Sequence, residues 1–156
     1  MKLYKKSMDI MNELFGRNYQ FALATSYYDM PSVRFVDTFY YDESFYFVTD
    51  ANSKKVKDIE ANPNVSLCNK EYRFSGSAYN IGHPLEKHNA EIREKLLLAF
   101  EPWYFKRNSE KDENLTYIKI KLSNGFFYKD GRGYIVDFIN NEVEDFPFEF
   151  NKIIID

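Results

Sequence analysis

Residues Phe45 to Pro63, FYFVTDANSKKVKDIEANP, decide how the chain is read. Phe45-Tyr46-Phe47-Val48-Thr49 is a β-branched and aromatic run, which predicts a buried strand. Asp50-Ala51-Asn52 breaks it. Ser53 to Glu60 then predicts a helix of about two turns, stopped by Asn62-Pro63. Ser53 suits the N-cap, where its hydroxyl can accept from a free backbone N–H. Lys54 and Lys55 in the first turn are out of place, because their charge opposes the positive end of the helix dipole. A bound phosphate would resolve that conflict: free amides, a hydroxyl and two ammonium groups would converge on one dianion. The alternative is a solvated lysine pair on a surface helix.

The strand just before this stretch bears on the choice. Asp29-Met30-Pro31 reads as a turn between a first strand, Tyr19–Tyr27, and a second, Ser32–Tyr40. Val33, Phe35 and Phe39 alternate with Ser32, Arg34, Val36 and Thr38, so Arg34 lies on the face opposite the aromatic pair. It is either a solvated sheet residue or a planar, permanently charged fork for a phosphate. One hairpin separates it from Ser53-Lys54-Lys55.

Outward from here the chain punctuates itself. Leu3, Tyr4, Met8, Met11, Leu14 and Phe15 share a helical face that ends at Gly16. Downstream, Asn64–Cys68 and Tyr72–Ile81 are strands, the second holding Gly76, a sign of a bulge, a bend or close backbone approach. Cys68 reads as a small buried hydrophobe. Pro84 fits the first position of a helix carrying Leu85, His88, Ile92, Leu96, Ala99 and Phe100. His83 and His88 have no ligand set or nucleophile at useful spacing, so they take ordinary roles, in a turn and on a helix face. Leu115–Leu122 alternates as a strand, Asn124-Gly125 reads as a turn, and Gly131-Arg132-Gly133 as another. The tail, residues 140–156, is an edge strand or an arm over a partner.

The whole predicts one domain of 156 residues, with about seven mostly antiparallel strands and two or three helices. The order excludes alternating βαβ units and favours a small barrel with helices outside. A net charge of -3 gives no reason to expect nucleic acid or an anionic membrane as partner. One cysteine cannot form an internal disulfide, and no apolar run reaches bilayer length, so a cytoplasmic protein is expected.

Taken together, Pro31-Ser32-Val33-Arg34-Phe35-Val36, then Phe45–Thr49 leading to Ser53-Lys54-Lys55, Ile59–Leu67, Phe74–Ala78, Trp103-Tyr104-Phe105 and Thr116–Ile120 resemble the FMN-binding split-barrel family named after pyridoxamine 5'-phosphate oxidase. The similarity runs over roughly residues 10 to 139 and is greatest to general-stress-type and nitroimidazole-resistance-type members. It implies a split β-barrel and a homodimer with FMN at the subunit interface. It also implies that Arg34, Ser53, Lys54 and Lys55 hold the FMN phosphate. The strand at Phe35, Val36 and Asp37 would run along the isoalloxazine ring, with Thr49 near its polar edge. Trp103 or Tyr104 from the other protomer would wall the ring. The oxidase proper is expected to carry an arginine- and histidine-containing C-terminal segment. This chain ends EVEDFPFEFNKIIID, which speaks against pyridoxamine phosphate oxidation. The expected activity is an FMN-dependent oxidoreductase, reduced by NAD(P)H and reoxidised by a small-molecule acceptor. The rivals are a non-catalytic FMN-binding or storage protein and a haem- or deazaflavin-binding split barrel.

Overall fold

The computed structural model describes residues 2–150. Its elements run α1 (Lys2–Phe15), β1 (Tyr19–Tyr27), β2 (Met30–Tyr41), β3 (Ser44–Asp50), α2 (Lys54–Ala61), β4 (Asn64–Cys68) and β5 (Arg73–Gly82). A 3-10 turn at Lys87–Asn89 leads to α3 (Ala90–Ala99) and α4 (Tyr104–Arg107), then β6 (Leu115–Lys129), β7 (Arg132–Asp137) and β8 (Glu142–Pro147). The sheet order is β3-β2-β1-β4-β5-β6-β7-β8, and β3 also pairs with β6. That extra pairing closes six antiparallel strands into a barrel and leaves β7 and β8 as an extension.

Two-residue turns drive the hairpins. Tyr28-Asp29 and Asp42-Glu43 both take positive φ at each position, as does Asp130-Gly131. Such turns match the twist of the flanking strands. The first hairpin therefore turns at Tyr28-Asp29 rather than at Asp29-Met30-Pro31, and Met30 and Pro31 are already in β2, opposite Tyr27 and Ser26.

The barrel interior is filled by Phe21, Leu23, Phe45, Phe47, Leu67, Phe74, Ile118, Ile120 and Phe127. Met11 and Phe15 of α1 and Val56 and Ile59 of α2 insert into the same core. A smaller aromatic cluster joins Tyr46 and Tyr117, on the other face of β3 and β6, to Ile92, Leu96, Phe100 and Tyr104 of α3 and α4. Helices thus pack outside the barrel wall, as expected of the split-barrel class. Among the described residues, no helix is long and apolar enough to cross a membrane.

Three further local expectations change. Asn124-Gly125 makes no turn: β6 runs through it, pairing first with β5 and then with β7. Its glycine serves packing, since a Cβ there would lie 2.2 Å from the Phe74 ring. Pro84 does not open a helix. Gly82 turns at φ +95, and the Asn89 amide binds the carbonyls of Ile81 and His83, so α3 starts only at Ala90. Cys68 is exposed, because β4 alternates and its buried positions are Val65 and Leu67. The tail forms edge strand β8 against β7; residues 151–156 lie outside the described part. Gly76 does mark a register shift, and a Cβ on it would meet the Lys121 carbonyl at 2.3 Å.

Candidate functional site

Strand β2 buries its even positions, Val36, Thr38 and Tyr40, and exposes Val33 and Phe35. Arg34 therefore belongs to the inward row, at the end of the barrel, with 22% of its side chain exposed. It is not a solvated sheet residue. Its Nη1 donates to the Leu23 carbonyl at 3.2 Å and to Thr25 Oγ1 at 2.8 Å.

Helix α2 starts over the same end. Asp50 takes the Asn52 N–H on its side chain (2.7 Å) and the Ser53 N–H on its carbonyl (3.0 Å), which turns the chain out of β3 and into the helix. Lys54 Nζ reaches Ser32 Oγ at 3.1 Å and both Asp58 oxygens at 2.9 and 3.2 Å. Lys55 Nζ donates to Thr49 Oγ1 at 3.0 Å. Asp58 is buried, accepts from Thr25 Oγ1 at 2.8 Å, and stands 3.8 Å from Arg34 Nη2. Arg34, Thr49, Ser53, Lys54 and Lys55, from two strands and a helix start, are thus brought together.

The charges are deliberately unbalanced. Three cations, Arg34, Lys54 and Lys55, meet one directly bonded carboxylate, Asp58, while Asp50 stands beside Lys55. Burial lowers the Lys55 ammonium below the usual lysine range, and the nearby Arg34 charge lowers it further, against a partial offset from Asp50. Burial likewise lowers Arg34. Both cations are held where an added anion would stabilise them. Ser53 sharpens this. It is the N-cap residue by position, with extended backbone, but its hydroxyl makes no cap bond. Its Oγ is buried and is the only such side-chain atom without a hydrogen-bond partner among the described residues. A buried polar group left so costs about 1–3 kcal/mol. A phosphate oxygen, at the amino end of α2 and between two ammonium groups, is the kind of acceptor that would satisfy it.

Asp58 carries a pH signature. Burial alone would raise its carboxyl, but hydrogen bonds from Lys54 and Thr25 and the charges of Lys54 and Arg34 hold it below the ordinary carboxylate range. A folded-state value below the unfolded one contributes stability above about pH 4, lost as pH falls through the depressed value. Stability measured by urea unfolding is expected to fall between about pH 4 and pH 2, and less so in Asp58→Asn. An equal fall in both proteins would remove Asp58 as a cause.

The ring-contact candidates divide. Phe35 projects outward and is 69% exposed, whereas the Val36 side chain is in the barrel core. Asp37 faces outward with Phe35 and accepts from Asn18 Nδ2 at 3.1 Å. Trp103 joins the same network: its Nε1 donates to Asn18 Oδ1 at 2.8 Å, and Arg107 lies over its ring and 3.7 Å from Asp37. Asp37 and Trp103, 66 positions apart in numbering (103 minus 37), thus line one small pocket with Asn18, Gln20 and Arg107. Tyr104 points inward rather than onto the surface. It is fully buried, and its hydroxyl bonds Tyr117 at 2.7 Å and Glu110 at 3.0 Å. His83 accepts from the Leu85 N–H and contacts the Asp112 carbonyl, while His88 contacts the Ile81 carbonyl. Among the described residues no three His, Cys, Asp or Glu side chains are grouped to hold a metal ion.

Ser32, Thr25 and Asp58 escaped the sequence reading. Signals pointed to two of them: Lys54 and Asp58 are spaced i, i+4 on a helix, and Thr25 continues the buried row Phe21, Leu23 of β1, where a hydroxyl needs a partner.

The chain matches the family profile described as Pyridoxamine 5'-phosphate oxidase over residues 8–129. Among solved structures it is similar to general stress protein 26 from Bacillus anthracis str. Sterne, with 26% identity and TM-score 0.59, covering 81% of this chain and 93% of that one. A NimC/NimA family protein from Clostridium acetobutylicum also has 26% identity and TM-score 0.59, covering 92% and 96%. A pyridoxamine 5'-phosphate oxidase-related, FMN binding protein from Nostoc punctiforme PCC 73102 shares the fold at 14% identity and TM-score 0.55, over 94% and 96%. No curated protein sequence matches. With a matched profile that takes in Arg34 and the whole of α2, and six closed strands of the split-barrel type, the chain belongs to the pyridoxamine 5'-phosphate oxidase-like family, whose members typically bind FMN.

Proposed function

We propose that the chain binds FMN and works as a cytoplasmic homodimeric oxidoreductase, with NAD(P)H as reductant and a small molecule as acceptor. The observation that carries the proposal is the unbonded, buried Ser53 hydroxyl at the start of α2, flanked by Lys54 and Lys55, with the Arg34 charge near Lys55. Bound FMN supplies the electron-exchanging ring, which no side chain can. Arg34, Lys54 and Lys55 hold the phosphate by charge, and the Ser53 O–H donates to one of its oxygens. Thr49, bonded to Lys55, would lie near the polar edge of the ring. Phe35, on the outward row of β2, would lie along the ring, and Trp103 of the second protomer would cover it.

The dimer is supported by exposed apolar side chains on the β1–β2 hairpin, Val33 and Phe35 on the outward row of β2 and Tyr27, Tyr28 and Met30 at the hairpin tip. Exposed apolar side chains concentrated on one hairpin favour association.

The purified protein is expected to show flavin absorbance after FMN is added and gel filtered, with FMN identified by mass spectrometry of the released ligand. It is expected to oxidise NADH or NADPH when an acceptor is supplied. Retention of FMN without nicotinamide turnover would remove the oxidoreductase half and leave a flavin-holding protein; no retained flavin would remove both.

A further inference from the structure

Thr25 and Asp58 lie behind the phosphate-binding cations and are positioned to do one job. Asp58 is an ionised carboxylate, so it only accepts hydrogen bonds, and Arg34 only donates. The Thr25 hydroxyl stands between them, 2.8 Å from each. Its single proton must therefore go to Asp58, which leaves its oxygen lone pairs to receive Arg34 Nη1. The direction of the relay is forced.

The relay ties three elements together. Thr25 belongs to β1, Arg34 to β2 and Asp58 to α2, and Asp58 also holds Lys54 at 2.9 Å. Both N–H bonds of Arg34 Nη1 are consumed, one by Thr25 and one by the Leu23 carbonyl. The guanidinium plane is thereby fixed, while its Nε has no partner among the described residues. One buried carboxylate thus orients a cation from the barrel wall and a cation from the helix toward the same point.

We infer that Thr25 and Asp58 are positioning residues: they hold Arg34 and Lys54 in register for a terminal phosphate without touching it themselves. This rests on the reading of the site as an FMN phosphate cradle. It goes further in assigning part of the discrimination between phosphorylated and unphosphorylated flavin to a hydroxyl and a carboxylate outside the cradle. A relay that only stabilised the fold would affect every flavin equally.

Riboflavin is FMN without the phosphate, so the ratio of the two dissociation constants isolates this effect. Thr25→Val keeps shape and β-branching and deletes the hydroxyl. It is expected to weaken FMN binding about tenfold, the scale of one lost charge-assisted hydrogen bond, with riboflavin binding unchanged. Thr25→Ser, which restores the hydroxyl, is expected to return the FMN value. Thr25→Ala is the parallel variant where valine fails to fold, with the same expectation. A wild-type FMN-to-riboflavin ratio in Thr25→Val or Thr25→Ala would overturn the relay and leave the cradle intact. Equal affinity for the two flavins in the unaltered chain would instead overturn the cradle, and the relay with it.

Discussion

Replacing Lys54 and Lys55 together by alanine is expected to weaken FMN binding roughly a hundredfold while leaving riboflavin binding within about twofold. A hydrogen bond to a charged partner contributes about 1.5–3 kcal/mol, and two lost bonds at the lower bound come to about 3 kcal/mol. The lower bound is appropriate because the Lys54 side chain is 65% exposed and its charge is partly screened. Arg34 remains in the double variant and keeps residual affinity above zero. The same logic makes FMN affinity salt-sensitive in the unaltered chain, since the screening length falls from about 10 Å at 0.1 M to about 3 Å at 1 M. Fluorescence titration at several salt concentrations reads both effects. Undiminished FMN affinity in the double variant would reject the lysines as phosphate ligands.

The largest expected effect on stability lies at the opposite functional remove, at Phe15. Its ring is fully buried and meets five aromatic neighbours: Tyr19 at 4.9 Å, Tyr72 at 5.1 Å, Phe74 at 5.4 Å, and Phe21 and Phe45 at 5.7 Å. Four of the five contacts are edge-to-face, the arrangement that ring quadrupoles favour, and the fifth, to Phe21, is tilted. Phe15→Ala deletes these contacts and leaves a cavity that rigid strands cannot close. The cost is about 3–5 kcal/mol, or a fall in Tm of roughly 10 °C for a chain of this size. Because α1 contributes nothing to the cluster at Arg34 and Lys54, FMN affinity of the folded variant should stay near wild type. Calorimetry reads the first effect and flavin titration the second. A fall in Tm under about 2 °C would mean that the Phe15 ring does not insert into the barrel core.

Much of the barrel was legible because strand alternation is a local property. Phe45–Thr49, the helix after Ser53 and the opposite faces of Arg34 and Phe35 all follow from periods of two and 3.6 residues. Local signals also misled where tertiary packing decides. Asn124-Gly125 has the composition of a hairpin turn, yet its glycine makes room for the Phe74 ring across the strand pair. Pro84 reads as a helix start, but the Asn89 side chain takes the preceding carbonyls and delays α3. Cys68 is apolar by type and still lies on the outer row of β4.

The site divides in the same way. Ser53, Lys54 and Lys55 announced themselves, since lysines at a helix start contradict the local electrostatics. Their buried counter-charge did not. Asp58 in isolation is an ordinary polar helix residue, and only the fold brings it against Thr25, a residue 33 positions earlier. Tyr104 shows the reverse: adjacent to Trp103 in sequence, it turns inward to Tyr117 and Glu110.

A crystal structure of the chain grown with FMN tests the phosphate cradle most directly. Its phosphate should lie within about 3 Å of Ser53 Oγ and of donor nitrogens on Lys54, Lys55 and Arg34, giving that serine the partner it lacks. A phosphate seated elsewhere, with the Ser53 hydroxyl still unbonded, would contradict it.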